Sequence, residues 1–158
     1  MPNWCEGILK VRGKKENLKN FLKDNIKNVD IIGEEKPINI IEEEDENSIY
    51  FNSKHSFLYL KGTSRGFIEP IYNEVYFYET DKKDIFIILL EYKQAWSIIC
   101  KELKNISNKF NIDIKIHGFE KGTEFEQDIE IINGKIIKDE EVKYKDYNWE
   151  SINPTLGG

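Results

Sequence analysis

The sequence predicts an α+β fold, an antiparallel sheet with two helices on one face and extra strands in the middle. Three observations lead there. The patterned segments run strand, helix, several short strands, then helix, strand and hairpin. Trp96, Ile99, Leu103, Ile106 and Phe110 repeat at helical spacing over four turns. Residues 112–118 and 124–132 instead alternate with the period of two that marks half-buried strands.

The first strand is expected over 6–12, with Gly7, Leu9 and Val11 on one face, Ile8 and Lys10 on the other, and Gly13 ending it. Residues 14–27 follow as a helix. Leu18, Phe21, Leu22 and Ile26 recur at its spacing, Lys19 and Lys23 lie on its wet face, and Lys27 suits the negative end of its dipole. Short strands are expected at 38–41, 48–52, 57–60, 74–78 and 85–90. The last is apolar without alternation, as in a central strand covered on both faces. The charged runs 42–47 and 81–84 read as exposed loops. Asn111 stops the second helix, and Ile112, Ile114 and Ile116 should point inward along the strand after it. Asn133-Gly134 between apolar runs marks a type I′ hairpin turn, which needs positive φ at both positions. Residues 1–150 read as one domain and 151–158 as a tail, with fraying expected from Asn153.

Composition narrows the function. A chain of 158 residues buries roughly 68–70% of its unfolded surface. The longest unbroken apolar run, 85–90, is six residues, against the ~20 that a membrane-spanning helix needs. The opening lacks the basic start and apolar run of an export signal, so a cytoplasmic location with Cys5 and Cys100 reduced is expected. A net charge of -6 weighs against nucleic acid, whose binding relies on Lys and Arg at the phosphates. An acidic surface keeps a small protein soluble, or meets a basic groove on a partner.

Three stretches resemble the YubB ferredoxin-like-domain proteins of phages and mobile elements. They are Met1-Pro2-Asn3-Trp4-Cys5 running into the first strand, Ala95-Trp96-Ser97, and Gly118-Phe119-Glu120-Lys121-Gly122-Thr123-Glu124-Phe125. The middle, 30–78, is similar only loosely. The resemblance implies a ferredoxin-like sandwich and a mobile-element habitat, and it carries no catalytic residue set.

Among candidate sites, the loop Lys61, Gly62, Thr63, Ser64, Arg65 and Gly66 combines glycines, hydroxyls and two cations, the parts that hold a phosphate or carboxylate. It lacks the phosphate-loop order and also reads as a plain glycine-rich connection. Trp4 and Trp96 would stack on a base there, against the alternative that both are core. Glu124, Glu126, Asp128 and Glu130 share one strand face, expected to be a wet outer face with Phe125, Ile129 and Ile131 inward. One flat row suits neither a metal nor a carboxylate pair across a cleft, but with Glu42, Glu43, Glu44, Asp45 and Glu46 it offers an acidic docking surface. His55 and His117 have no cysteine at zinc-ligand spacing, and no cofactor is implied. Phe57, Tyr59, Tyr76 and Tyr78 would stack bases if they lined an open sheet face; without the RNA-binding signature, core packing is expected of them.

The expected function is a non-enzymatic binding protein of a phage or mobile element. Its sharper form is counter-defence by blocking a host bacterial immunity protein through an acidic face. Capture of a nucleotide or other small anion at residues 61–66 is the alternative, and an enzyme acting on nucleotides or nucleic acid the third.

Overall fold

Alternation at the start of the chain produces β1 (Trp4–Lys14), which pairs antiparallel with β10 (Ile85–Ala95) along its whole length, from Trp4 opposite Ala95 to Lys14 opposite Ile85. The computed structural model describes residues 1–30, 32–36, 39–42, 47–52, 57–69 and 74–158. Expectations for Ile38, Glu43, Glu44, Asp45, Glu46 and His55 fall outside them.

The other described elements are α1 (Lys15–Asn25), β2 (Ile26–Val29), β3 (Glu35–Lys36), β4 (Asn39–Glu42), β5 (Ser48–Asn52), β6 (Phe57–Leu60), β7 (Gly66–Ile68), β8 (Glu74–Tyr76) and β9 (Tyr78–Glu79). After β10 come α2 (Cys100–Phe110), β11 (Asp113–Glu120), β12 (Phe125–Ile132), β13 (Lys135–Lys143) and α3 (Tyr147–Glu150). The protein is α+β and mostly antiparallel sheet. The large sheet runs β13-β12-β11-β1-β10-β7-β6-β2-β3, with β9 also on β10, and β4-β5-β8 form a smaller one.

Both long helices cover the same face. Cys5, Leu9 and Val11 of β1, Ile88 and Leu90 of β10, Ile114 and Ile116 of β11 and Ile129 and Ile131 of β12 bury beneath Leu18, Phe21 and Leu22 of α1 and Leu103, Ile106 and Phe110 of α2. Phe21 meets Phe110 edge-on at 5.7 Å between the two helices. β1 and β11 approach closely at Gly7, where a Cβ would lie 2.2 Å from the His117 carbonyl oxygen. The C-terminal segment covers part of the opposite face, where Ser151 reaches the buried Glu126 and Leu156 lies beside Glu6 and Ile8, while the face of β10, β7 and β6 beyond it stays open. β10 is therefore not the doubly covered strand its composition suggests, and Leu89 is 44% exposed.

Both helices are shorter than their apolar spacing implies. The first ends at Asn25, because the Asn25 side chain donates to the Lys61 carbonyl at 2.9 Å and Ile26 enters a ladder opposite Leu60. Lys27 thus stands on a strand. The second begins at Cys100, and Trp96 sits before it at φ 71°, 57% exposed. Two buried glutamines hold this turn extended: the Ile98 N–H donates to Gln127 Oε1 at 2.8 Å and the Ile99 N–H to Gln94 Oε1 at 3.1 Å. Asn111 does end α2, in the left-handed conformation. Asn133 and Gly134 both take positive φ in the turn from β12 to β13.

The last residues are not frayed. The Gly157 N–H donates to Glu6 Oε2 at 3.3 Å and the Gly158 N–H to the Trp4 carbonyl at 3.1 Å, tying the segment to β1. Among the described residues no helix is long and apolar enough to cross a membrane.

Candidate functional site

The candidate site is an aromatic and cationic groove on the open face. Strand register builds it. Lys93 on β10 lies opposite Phe67 on β7, Phe67 opposite Tyr59 on β6, and Phe57 opposite Val29 on β2. Trp4 opens β1 on the same face. Phe67 is the hub of the rings: Trp4 meets it at 5.9 Å, Phe57 at 6.2 Å and Tyr59 at 5.9 Å. Phe57 is half exposed, and the Tyr59 hydroxyl donates to the Thr63 carbonyl. The groove measures about 300 Å³ and is lined by Trp4, Val29, Asp30, Phe57, Arg65, Phe67 and Lys93, with Gly33 at its rim.

Two cations reach over Trp4, the Lys93 ammonium at 5.3 Å and the Arg65 guanidinium at 5.9 Å from the ring centre. Attraction between a cation and the ring's negative face holds both there. Lys93 also pairs with Glu69. Among the described residues no carboxylate pairs with Arg65. Among the described residues one acid lines the groove, and it is already engaged: Asp30 accepts the Ile32 and Glu34 N–H groups at 3.0 and 2.9 Å and pairs with Lys36 at 3.1 Å. Desolvation pushes the Asp30 carboxyl upward, but those bonds prevail and hold it below the ordinary carboxylate range. The groove is thus locally positive on a chain of net charge -6.

Of the predicted ligand residues, the structure brings Trp4 and Arg65 together and leaves the others off the groove lining. The 61–66 loop is not an open anion cradle. Thr63 Oγ1 donates to the Leu60 carbonyl at 2.6 Å and accepts the Gly66 N–H. Ser64 gives its N–H and its hydroxyl to Glu102, at 3.0 and 2.6 Å. Gln94 Nε2 donates to the same carboxylate at 2.7 Å, clasping the loop to α2. That fixes Arg65, at φ 57°, above Trp4. Lys61 and Gly62 stand at the exposed end of the loop, and Trp96 points into solvent beyond β10.

The acidic row on β12 is not a uniformly wet face. Glu126 is buried and receives the Ser151 hydroxyl at 2.6 Å and His117 Nε2 at 2.7 Å. Asp128 pairs with Lys138 at 2.6 Å, and Glu130 with Lys115 at 3.7 Å. Glu124 stays exposed in the preceding turn at φ 61°. Phe125, Ile129 and Ile131 point inward as expected. Glu42 lies on β4.

Phe57 and Tyr59 face outward rather than into the core, and Tyr76 and Tyr78 are about half exposed away from the groove. Phe67 and Lys93 are the groove-lining residues that the sequence does not single out. Their signal is position: Phe67 on the short β7 and Lys93 on the long β10 both point away from the helices, and the pattern does not tell which sheet face lies open.

The segments around Asn3–Cys5, Trp96 and Gly118 meet at one end of β1. The Trp96 N–H donates to the Asn3 carbonyl at 2.8 Å, and Cys5 Sγ donates to Gln127 Oε1 at 3.6 Å. Gly118 lies against Cys5 and Ile98, where a Cβ would come within 2.8 Å of Cys5 Sγ.

No known family, curated protein or solved structure matches this chain.

Proposed function

We propose that this chain is a non-catalytic binding protein that captures a small nucleotide on the open face of its sheet. The observation that carries the reading is the groove itself, in which outward-facing rings lie beside an ammonium and a guanidinium that pairs with no carboxylate among the described residues. A base offers a π-face to Trp4, Phe57 and Phe67, and its phosphate takes charge-assisted bonds from Arg65 and Lys93. Few other small molecules need both. A nucleic-acid strand fits less well, because the path out of the groove past Lys93 meets Glu6, Glu69 and Glu91. The reading is one of capture rather than conversion: Asp30, the one carboxylate among the described lining residues, is committed to N–H groups and Lys36, which hold it below the ordinary carboxylate range.

Two further points support a setting for this activity. The order β11-β1-β10-β7, with α1 after β1 and α2 between β10 and β11, supports reading these elements as a ferredoxin-like core to which β12 and β13 are added. The opening motif resembles mobile-element proteins of that fold. In a bacterial cytoplasm, sequestering a nucleotide signal would be counter-defence by removal of the signal. The geometry favours this over blocking an immunity protein through the acidic row, whose Asp128 and Glu130 already face Lys138 and Lys115.

A thermal-shift series with AMP, GMP, CMP, UMP and inorganic phosphate tests the reading. At one hundred times Kd, a nucleotide that binds only the folded chain adds about 2.7 kcal/mol, a rise of roughly 5–10 °C at this size. The expected result is a saturable rise for at least one nucleotide and none for phosphate alone. No rise with any of the four would overturn it.

A further inference from the structure

A second hollow lies beside the groove on the same face. Glu6 pairs with Lys93 across β1 and β10, and Trp4, Glu6 and Ile8 alternate down one side of β1, so groove and hollow are neighbours along one strand. The hollow measures about 150 Å³, and its side-chain lining includes Glu6, Ile8, Glu69, Glu91, Lys93 and Leu156. Lys93 belongs to both, with its ammonium beside Trp4 and paired with Glu69.

The two spaces differ in chemistry. Rings and cations line the groove. The hollow carries three carboxylates, which when ionised accept hydrogen bonds and donate none. Glu6 takes one backbone N–H, from Gly157 at 3.3 Å. Among the described residues no donor reaches the half-buried Glu91 carboxylate. A second phosphate would be repelled there, whereas a group rich in hydroxyls would supply what the carboxylates lack.

We propose, resting on the nucleotide reading, that the ligand is a nucleotide whose phosphate carries a second, hydroxyl-rich group such as a sugar. The base lies in the groove, the phosphate bridge sits between Arg65 and Lys93, and the sugar hydroxyls donate to Glu91 and Glu6. Lys93 marks the joint, and its exchange of Glu69 for the phosphate couples the two halves. The groove alone stands at the low end of the volumes that hold organic ligands, and the hollow extends it.

Isothermal titration of the full chain with AMP, ADP and ADP-ribose tests this directly. The expected result is ADP-ribose binding at least tenfold tighter than ADP, a preference that Glu91→Gln weakens at least threefold while leaving AMP affinity unchanged. Glu91 is the variant of choice because no described residue depends on its carboxylate. Binding of ADP-ribose no tighter than ADP, or an unchanged preference in Glu91→Gln, would overturn the two-part ligand while AMP binding preserves the nucleotide site. Failure of all three to bind would overturn both.

Discussion

Trp4 and Arg65 carry the account at the residue scale, because each does something its neighbours do not. Arg65 is held at positive φ by a loop whose Thr63 and Ser64 donate to the Leu60 carbonyl and Glu102, and Trp4 accepts two cations on one ring. Arg65→Ala should remove charge-assisted bonds that contribute about 1.5–3 kcal/mol, a tenfold or greater loss of nucleotide affinity by calorimetry with Tm unchanged. An unchanged affinity would take Arg65 out of the site. The cysteines make a separate prediction. Burial pushes the Cys5 thiol up from 9.0 to about 12 and the Cys100 thiol from 9.0 to about 11. A folded-state pKa above the unfolded one favours the protonated native form, so this contribution is complete below about pH 9 and lost as pH climbs through 11 and 12. Stability measured by urea titration should therefore fall between pH 9 and pH 11, less steeply in Cys5→Ala. At pH 7.5 both thiols should resist iodoacetamide until the chain is unfolded.

Elements were legible where one periodicity ruled and illegible where two competed. The alternation of β11 and the Asn133-Gly134 turn stand in the sequence because period two and positive φ leave few other structures. The helix ends do not. Trp96 and Ile99 fit the stripe of α2 by spacing alone, but Gln127, distant in sequence, and Gln94 at the end of β10 hold residues 98 and 99 outside the helix. Likewise Ile26 fits α1 until Leu60 arrives to pair with it. Glu102 is where such a long-range clasp can be tested. It accepts bonds from Ser64 and Gln94, so Glu102→Ala should cost about 2 kcal/mol in chemical denaturation and loosen the loop that carries Arg65. A variant of wild-type stability and ligand affinity would show that the loop holds itself. Gly7→Ala should cost about 3 kcal/mol, because a Cβ there meets the backbone of β11 rather than a side chain that can turn aside.

For the whole molecule, the distribution of charge decides more than its sum. A net charge of -6 is legible at once and misleads about the site, since Asp30, Asp128 and Glu130 are matched by lysines while Arg65 meets no carboxylate among the described residues. The two-helix α+β plan was legible in the order of segments. Which sheet face the helices leave open was not, because both faces of β10 are apolar and only the docking of α1 and α2 chooses between them. That choice turns Phe57, Tyr59 and Phe67 from core residues into a platform, and it is the claim on which the function rests. The most direct test is chemical-shift mapping of the isotope-labelled chain during titration with AMP. The account predicts saturable shifts at Trp4, Arg65, Phe67 and Lys93, with the Trp4 indole moving and those of Trp96 and Trp149 still. No saturable shift, or shifts confined to Thr63, Ser64 and the β12 row, would contradict it.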